Sequence, residues 1–403
     1  MEHNEKTIGK AGLIDIPNEI LNHLATFLTL QHISRLAQAS RQYRAVFEEI
    51  LYQRDARNER PEALLEAGFS GNLGTATKAL AHLKGRSLPT LENGWNPLSL
   101  AVRIGHKALV KLLLDSDRID IDINEVDSRS STLLLHACSS EDPSMVELLL
   151  SVGGIDIHKT SSNGLEPLAV AAGAGNLEAV KLLASHDDAR LDSKGRFSEP
   201  LWYAAGEGHE DVVKFLLDTC KSDAAACNAV GRTPLHRAAA FGKDAVVKLL
   251  LAADGVDANA HDGEGCSALH FAAQGGHMSA MKVLLDVGGA ELDSKDRFWR
   301  TPLMYAAMAG SEDAIKLLLE RGADPRAEDD RLNTATVIAR GAGHYGVVGI
   351  LLMAILEIDD KMKEKENEEV RKREDGEEKG KEEQMEDGEE KGKEKKMEGG
   401  GEN

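Results

Sequence analysis

Apolar and polar positions along this chain repeat with a period of 33 to 36 residues. In the clearest copies, Thr233-Pro234-Leu235-His236 is followed by Ala238-Ala239 and Gly242, and Thr301-Pro302-Leu303 by Ala306-Ala307 and Gly310. The slot that holds Pro in these copies falls at Ala63, Pro97, Leu133, Pro167, Pro200, Pro234, Ala268, Pro302 and Ala335, with gaps of 34, 36, 34, 33, 34, 34, 34 and 33. Some 15 residues after the slot comes an apolar triplet, such as Leu112-Leu113-Leu114, Leu148-Leu149-Leu150, Phe215-Leu216-Leu217, Leu249-Leu250-Leu251, Leu317-Leu318-Leu319 and Ile350-Leu351-Leu352. Eight residues after it sits glycine: Gly71, Gly105, Gly175, Gly208, Gly242, Gly276, Gly310 and Gly343, with Glu141 the one departure.

These marks predict two short helices per copy. Proline at the slot suits a first helical turn, where its missing N–H costs nothing. Glycine suits the break between helices, where φ turns positive. In one copy Leu201, Ala204 and Ala205 give the first helix a face of small residues, so that neighbours approach closely. Val212, Val213, Leu216 and Leu217 give the second helix one apolar stripe at a 3.6-residue period. Burying a Leu or Val contributes roughly 1.5–3 kcal/mol, and much of that burial needs the adjacent copy. Stability should then approximate a sum over neighbours in a stacked array.

The run T-P-L-H-x-A-A-x-x-G-H at this period resembles the ankyrin repeat. Residues 61–356 fit it as about nine copies, the first and last degenerate as capping copies tend to be. The fold class expected is all-α, an ankyrin-repeat solenoid of helix pairs with β-turn fingers. Segments such as Gly255-Val256-Asp257-Ala258-Asn259 and Gly322-Ala323-Asp324-Pro325 match the family's fingers, and Ile119-Asp120-Ile121-Asp122-Ile123-Asn124 adds extra residues in one of them.

Ahead of the array, after a flexible start over 1–12, residues 13–58 follow a different pattern. Pro17 opens a helix with Ile20, Leu21, Leu24 and Leu28 on one face; a second helix covers about 31–39, and Ser40 caps a third. Three short helices make a thin core that usually needs a partner. Ile16-Pro17-Asn18-Glu19-Ile20-Leu21, Leu24, Leu28, Ile33, Leu36, Ser40-Arg41 and Leu51-Tyr52 resemble the F-box, the adaptor-binding module of cullin-based ubiquitin ligases. Ile16 replaces the usual Leu, and the Trp many members carry near the third helix is missing. The resemblance implies that Ile16, Pro17, Ile20, Leu21, Leu24 and Leu28 dock on a Skp-type adaptor, helix in groove. A helical cap over the first ankyrin copy would also account for this apolar helix.

Charge narrows the range of partners. The 403 residues carry a net charge of −20, which argues against nucleic acid or an anionic membrane. No stretch approaches ~18 consecutive apolar residues, and the start of the chain has no signal-peptide core. Four cysteines in a chain of this length point to reduced thiols and to the cytoplasm or nucleus. Cys220 and Cys227 have the wrong spacing for a zinc pair, so no metal and no cofactor is expected. From 357 to 403 the composition falls to Glu, Lys, Asp and Gly, with Glu374–Glu382 returning at Glu386–Glu394. Such a tail is expected to be disordered, although Glu/Lys pairs over 364–374 could prolong the last helix.

Gly341-Ala342-Gly343-His344-Tyr345-Gly346 spells a dinucleotide-binding fingerprint. Its Gly-His lies in register with Gly208-His209 and Gly276-His277, which makes it part of the repeat. The histidines His106, His209, His236, His270, His277 and His344 sit at repeat positions where they should satisfy backbone groups. No catalytic set stands outside the repeat frame, so the chain is not expected to be an enzyme.

The ankyrin resemblance implies a concave face of finger tips and first-helix edges. There the target-binding residues would be Trp95, Arg103, Ile104, Arg232, Phe241, Phe298 and Arg300, types that anchor interfaces. Trp299 stands where a finger usually has glycine. Two functions follow as expectations: substrate recognition for a cullin-based (SCF-type) ubiquitin ligase, or an ankyrin scaffold with a helical cap and no ubiquitin role.

Overall fold

The computed structural model describes residues 52–53, 55–56, 62–83, 86–91, 93–140, 142–186 and 200–369. The six residues expected to dock on an adaptor, Ile16, Pro17, Ile20, Leu21, Leu24 and Leu28, and nearly all of 13–58, lie outside them, as does the chain beyond 369.

Every repeat slot from Pro97 to Ala335 is the first residue of a helix. The first six pairs are α1 (Glu62–Ser70) and α2 (Leu73–His82), α3 (Pro97–Ile104) and α4 (Lys107–Leu114), α5 (Leu133–Cys138) and α6 (Pro143–Leu150), α7 (Pro167–Gly173) and α8 (Leu177–Ala184), α9 (Pro200–Glu207) and α10 (Glu210–Asp218), and α11 (Pro234–Ala240) and α12 (Asp244–Leu251). The others are α13 (Ala268–Gly275) and α14 (Met278–Asp286), α15 (Pro302–Ala309) and α16 (Glu312–Glu320), and α17 (Ala335–Gly341) with a last helix, α18, over 345–369. The other described residues from 62 on are loops, one two-residue parallel pairing, β1 (Arg86–Ser87) with β2 (Ile119–Asp120), and a single antiparallel bridge between Glu328 and Thr334. That pairing uses the start of the insert at Ile119. The fold is all-α and built from ankyrin repeats.

Local chemistry explains the helix ends. Asn96 Oδ1 accepts from Ser99 N at 2.9 Å while Ser99 Oγ accepts from Asn96 N at 2.9 Å, a reciprocal cap. Thr132 and Asn176 cap α5 and α8 in the same sense. The glycine eight residues past each slot has positive φ in all eight copies that carry it, from +64° at Gly242 to +94° at Gly105. A second constraint acts at several of them. The histidine that follows the break in the next copy donates Nε2–H back to a carbonyl: His106 to Phe69 at 3.0 Å, His209 to Gly173 at 3.0 Å and His344 to Met308 at 3.1 Å. A Cβ on Gly71 would lie 2.6 Å from His106 Nδ1, and one on Gly310 2.5 Å from His344 Nδ1. Glycine there answers both to φ and to the neighbour's ring. Gly343-His344 takes the same conformation between two helices, as the repeat register requires, and the fingerprint spelling has no strand before it.

The chain divides into two units, Met1–Ala238 with Ala245–Asp257, and Ala239–Asp244 with Ala258–Asn403. In the first, α1 packs on α3, α3 on α5, α5 on α7 and α7 on α9. The core is the small-residue faces together with Leu100, Leu134, Leu149, Val180 and Leu216. In the second, α13 packs on α15 and α15 on α17, burying Leu269, Met281, Leu284, Met304, Ile315 and Leu318.

One expectation needs correction. The composition change at 357 falls inside a helix, because α18 continues without a break through 369. Ile355 and Ile358 are partly covered, and Asp359 pairs with Arg326, which ties the start of the charged segment to the finger before it. The rest of the charged segment, 370–403, lies outside the described residues. Ahead of α1, Tyr52 and Ala56 are buried, and the Asp55 carboxylate accepts from Glu62 N at 2.8 Å and Ala63 N at 3.0 Å, capping α1.

Candidate protein-binding surface

Five of the described finger tips are built around an acid or amide six residues before the slot. Asp127 Oδ1 accepts from Arg129 N at 2.8 Å and Ser131 N at 2.9 Å. Asp262, Asp296 and Asp329 hold their own turns in the same way, and Asn228 does so with an amide oxygen. Each is a side-chain turn that closes the tip and satisfies N–H groups a loop would otherwise leave open. Successive tips are joined by backbone bonds, Ser128 N to Asn93 O at 3.1 Å in the first unit, and Arg297 N to Glu264 O and Asp330 N to Phe298 O, both 2.9 Å, in the second.

Three residues before the slot, φ is positive. Gly94, Gly164, Gly231 and Gly265 meet the requirement without cost. Ser130, Trp299 and Leu332 meet it with side chains, at φ +56°, +63° and +63°. A left-handed non-glycine residue costs roughly 1–2 kcal/mol. Trp299 is 59% and Leu332 74% exposed, so little packing repays them.

In the first unit, Trp95 and Arg103 come together. The Arg103 guanidinium lies 4.3 Å over the Trp95 ring, whose Nε1–H donates to Asp127 Oδ2 at 2.9 Å. His136 Nε2 reaches the same oxygen at 3.1 Å. Burial pushes the Asp127 carboxyl up, but the Ser131 and Arg129 N–H groups, the Trp95 indole and His136 together hold it below the usual range. Burial holds His136 down against the pull of Asp127. Ile104 is exposed nearby in sequence, and Arg232 is half-buried at its own tip.

In the second unit, Phe241 is exposed and Phe298 half-buried. The Phe298 ring lies between Arg297 at 4.5 Å and Arg300 at 4.7 Å. Arg300, expected to face a target, is engaged within the fold. Its Nη2 is 2.7 Å from Asp296 Oδ2, and its Nε donates to the same oxygen at 2.9 Å. Tyr305 O–H also donates to Asp296 Oδ2 at 2.9 Å, leaving the phenolic oxygen to accept from the Cys266 thiol at 3.1 Å and from Arg300 Nη2 at 3.2 Å. His270 packs edge-on to Tyr305 and donates Nε2–H to Arg300 O at 3.0 Å.

The seven expected contacts therefore fall in two places. Trp95, Arg103, Ile104 and Arg232 belong to the first unit, and Phe241, Phe298 and Arg300 to the second. Two features escaped the sequence reading. The turn-closing acids recur in register with the slot, a signal visible in the repeat. The stack of Arg237 on Trp202, 3.9 Å from guanidinium to ring, joins residues 35 apart and has no local signature. Among the described residues no His, Cys, Asp or Glu group could hold a metal ion, and no helix is long and apolar enough to cross a membrane.

Comparison with known proteins agrees with this architecture. The family model for ankyrin repeats matches in overlapping stretches, from residues 64–161 through 134–225, 170–262, 201–296 and 235–329 to 269–362. The chain belongs to the ankyrin-repeat family. Among curated relatives, the glycerophosphocholine phosphodiesterase GDE1 of Candida albicans is 32% identical over 126 residues, 30% of this chain and 10% of the relative. The ankyrin repeat and KH domain-containing protein mask of Drosophila melanogaster is 35% identical over 101 residues, 24% of this chain and 2% of the relative. Mask-1 of Caenorhabditis elegans is 28% identical over 171 residues, 41% and 6% of the two chains. The chain spans a tenth or less of the length of these relatives. As an ankyrin-repeat protein it is a protein–protein interaction module.

The titrating groups give this fold an expected acid profile. Burial holds both His136 and His270 below the ordinary histidine value. A depressed histidine pKa means the unfolded chain takes up protons first, so stability is fully present above about pH 6.5 and falls below it. Asp127, Asp296 and Asp329 are held below the usual carboxylate range. Their contribution is present above about pH 4 and is lost as pH falls through the folded values. Urea midpoints taken from neutral pH into acid should fall in two steps; a flat profile to about pH 5 would contradict the histidine assignment.

Proposed function

We propose that this chain is the substrate-recognition subunit of a cullin-based (SCF-type) ubiquitin ligase. The observation that carries the reading is the Ile16-Pro17-Asn18-Glu19-Ile20-Leu21 start of an F-box-like pattern, with Leu24 and Leu28 behind it, placed directly before a protein-binding array. Ile16, Pro17, Ile20, Leu21, Leu24 and Leu28 dock on the Skp-type adaptor. Trp95, Arg103, Ile104, Arg232, Phe241 and Phe298 offer contacts to a target protein, and Arg300 sets the presentation of Phe298. The chain works in the cytoplasm or nucleus, and its contribution to rate is proximity: it holds the target near the conjugating enzyme.

One observation favours the second reading, an ankyrin scaffold with a helical cap. Tyr52 and Ala56 are buried, and Asp55 caps α1, as the end of a cap would be. The two readings separate on adaptor binding. Full-length protein is to be offered to purified Skp-type adaptor beside the Pro17→Ala/Leu21→Asp variant. Capture by wild type that the variant loses supports the ligase reading. A folded wild type that captures no adaptor overturns it and leaves the capped scaffold.

A further inference from the structure

The outer face of the last copy is apolar where the end of a repeat array is ordinarily polar. On α18, Tyr345 is 73%, Leu352 49%, Met353 60% and Leu356 57% exposed. At 100° per residue these four lie within one arc of roughly 100°, opposite the buried Val347 and Leu351. Gly349 sits at the centre of that arc. A Cβ built on it meets nothing within 4 Å, so no described residue packs where a side chain would stand. Tyr345, Gly349, Leu352 and Leu356 follow one another at spacings of 4, 3 and 4, the seam of a paired helix.

We propose that α18 pairs with α18 of a second copy of this chain, antiparallel about a two-fold axis between Ile350 and Leu351, with Leu352 of each copy seated on Gly349 of the other. In that register Tyr345 of one copy meets Leu356 of the other, so a large residue faces a small one at the centre and aromatic faces aliphatic at the rim. A two-fold contact must be complementary to itself, and this face is. Charge selects the direction. Residues 357–369 hold seven acidic and three basic side chains. A parallel pair would set these two acidic halves side by side; the antiparallel pair sends them apart while the apolar halves overlap. The four side chains offer roughly 500 Å² per copy, so the pair buries about 1,000 Å², the lower bound for a specific contact. The pairing is accordingly weak and reversible. Of residues 370–403, Val370, Met385 and Met397 are the large apolar ones. The inference is independent of any link to ubiquitin.

Sedimentation equilibrium of the full-length protein tests it. Wild type should approach two-chain mass as concentration rises through the micromolar range. Leu356→Glu should raise the dissociation constant by at least about tenfold. Gly349→Leu separates seating from stickiness: it adds apolar surface where a Cβ meets nothing within 4 Å, and a helix signal and thermal melt no lower than those of wild type would verify that the single chain still folds. Seating predicts that Gly349→Leu also weakens the pair. Equal or tighter association of Gly349→Leu would overturn the proposal. So would single-chain mass for wild type at about 100 µM, including the case in which hydrogen exchange shows the face protected by another segment of the same chain.

Discussion

Asp296→Ala should destabilise the second unit by about 3–5 kcal/mol, the usual cost of removing one partner from a buried charged pair. Asp296 is fully enclosed and receives Phe298 N, Arg300 N, two Arg300 guanidinium nitrogens and the Tyr305 hydroxyl. The substitution would leave two N–H groups and a guanidinium, itself 26% exposed, without their acceptor. Tyr305, whose hydroxyl burial pushes well above its ordinary value, would lose the acceptor for its proton. Arg297→Ala, at the same tip, should cost under about 1 kcal/mol, because its ion pair with Glu264 at 2.7 Å is about half exposed on both sides. Urea unfolding of the full chain, with hydrogen exchange read on peptides from 258 to 320, measures both. A loss below 1 kcal/mol for Asp296→Ala would show that the turn finds its hydrogen bonds elsewhere.

That network also marks how far the sequence could be read. The slot residues Pro97 to Ala335 were legible as helix starts because proline at a first turn and glycine at the break are local requirements, met within one copy. The left-handed conformation of Trp299 was legible as a departure from the same rule. Arg300 was not. From the sequence it is a tip arginine available to a target; its engagement depends on Tyr305 and Cys266, and the Cys266–Tyr305 contact spans 39 residues. The Trp95–Asp127 and Arg237–Trp202 contacts, 32 and 35 residues apart, were hidden for the same reason. Pairings near one repeat length join equivalent regions of adjacent copies, and a periodic pattern says that such residues meet without saying which side chains bond. The boundary at 357 misled because composition changes there while helix propensity does not: Glu and Lys are good helix formers, and α18 is already nucleated by the array.

Substitution at three left-handed positions should change stability by amounts, and even signs, that φ alone does not predict. Gly322 has φ +94° and open space where a Cβ would stand. Gly322→Ala should therefore cost only the backbone term, about 1 kcal/mol. Gly265 has a similar φ of +80°, but its Cβ would lie 2.8 Å from Arg297 N and 3.2 Å from the Asp296 backbone. Those atoms belong to the next finger and cannot rotate away as a side chain would. Relief requires the tip to shift, lengthening the 2.9 Å bond from Arg297 N to Glu264 O and disturbing the turn held by Asp296. Gly265→Ala should thus lose about 2–4 kcal/mol, strain and overpacking together. Trp299→Gly should move the other way and stabilise the fold by up to about 1 kcal/mol, since it relieves the left-handed strain of an exposed side chain. Thermal melts of the three variants beside wild type decide the order. Equal losses at Gly265 and Gly322 would mean the fingers are loose enough to part. A destabilised Trp299→Gly would mean the indole packs more firmly than its exposure indicates. A stabilised one would show that this finger tip retains an aromatic residue at a cost in fold stability, which is the behaviour of a contact kept for a partner.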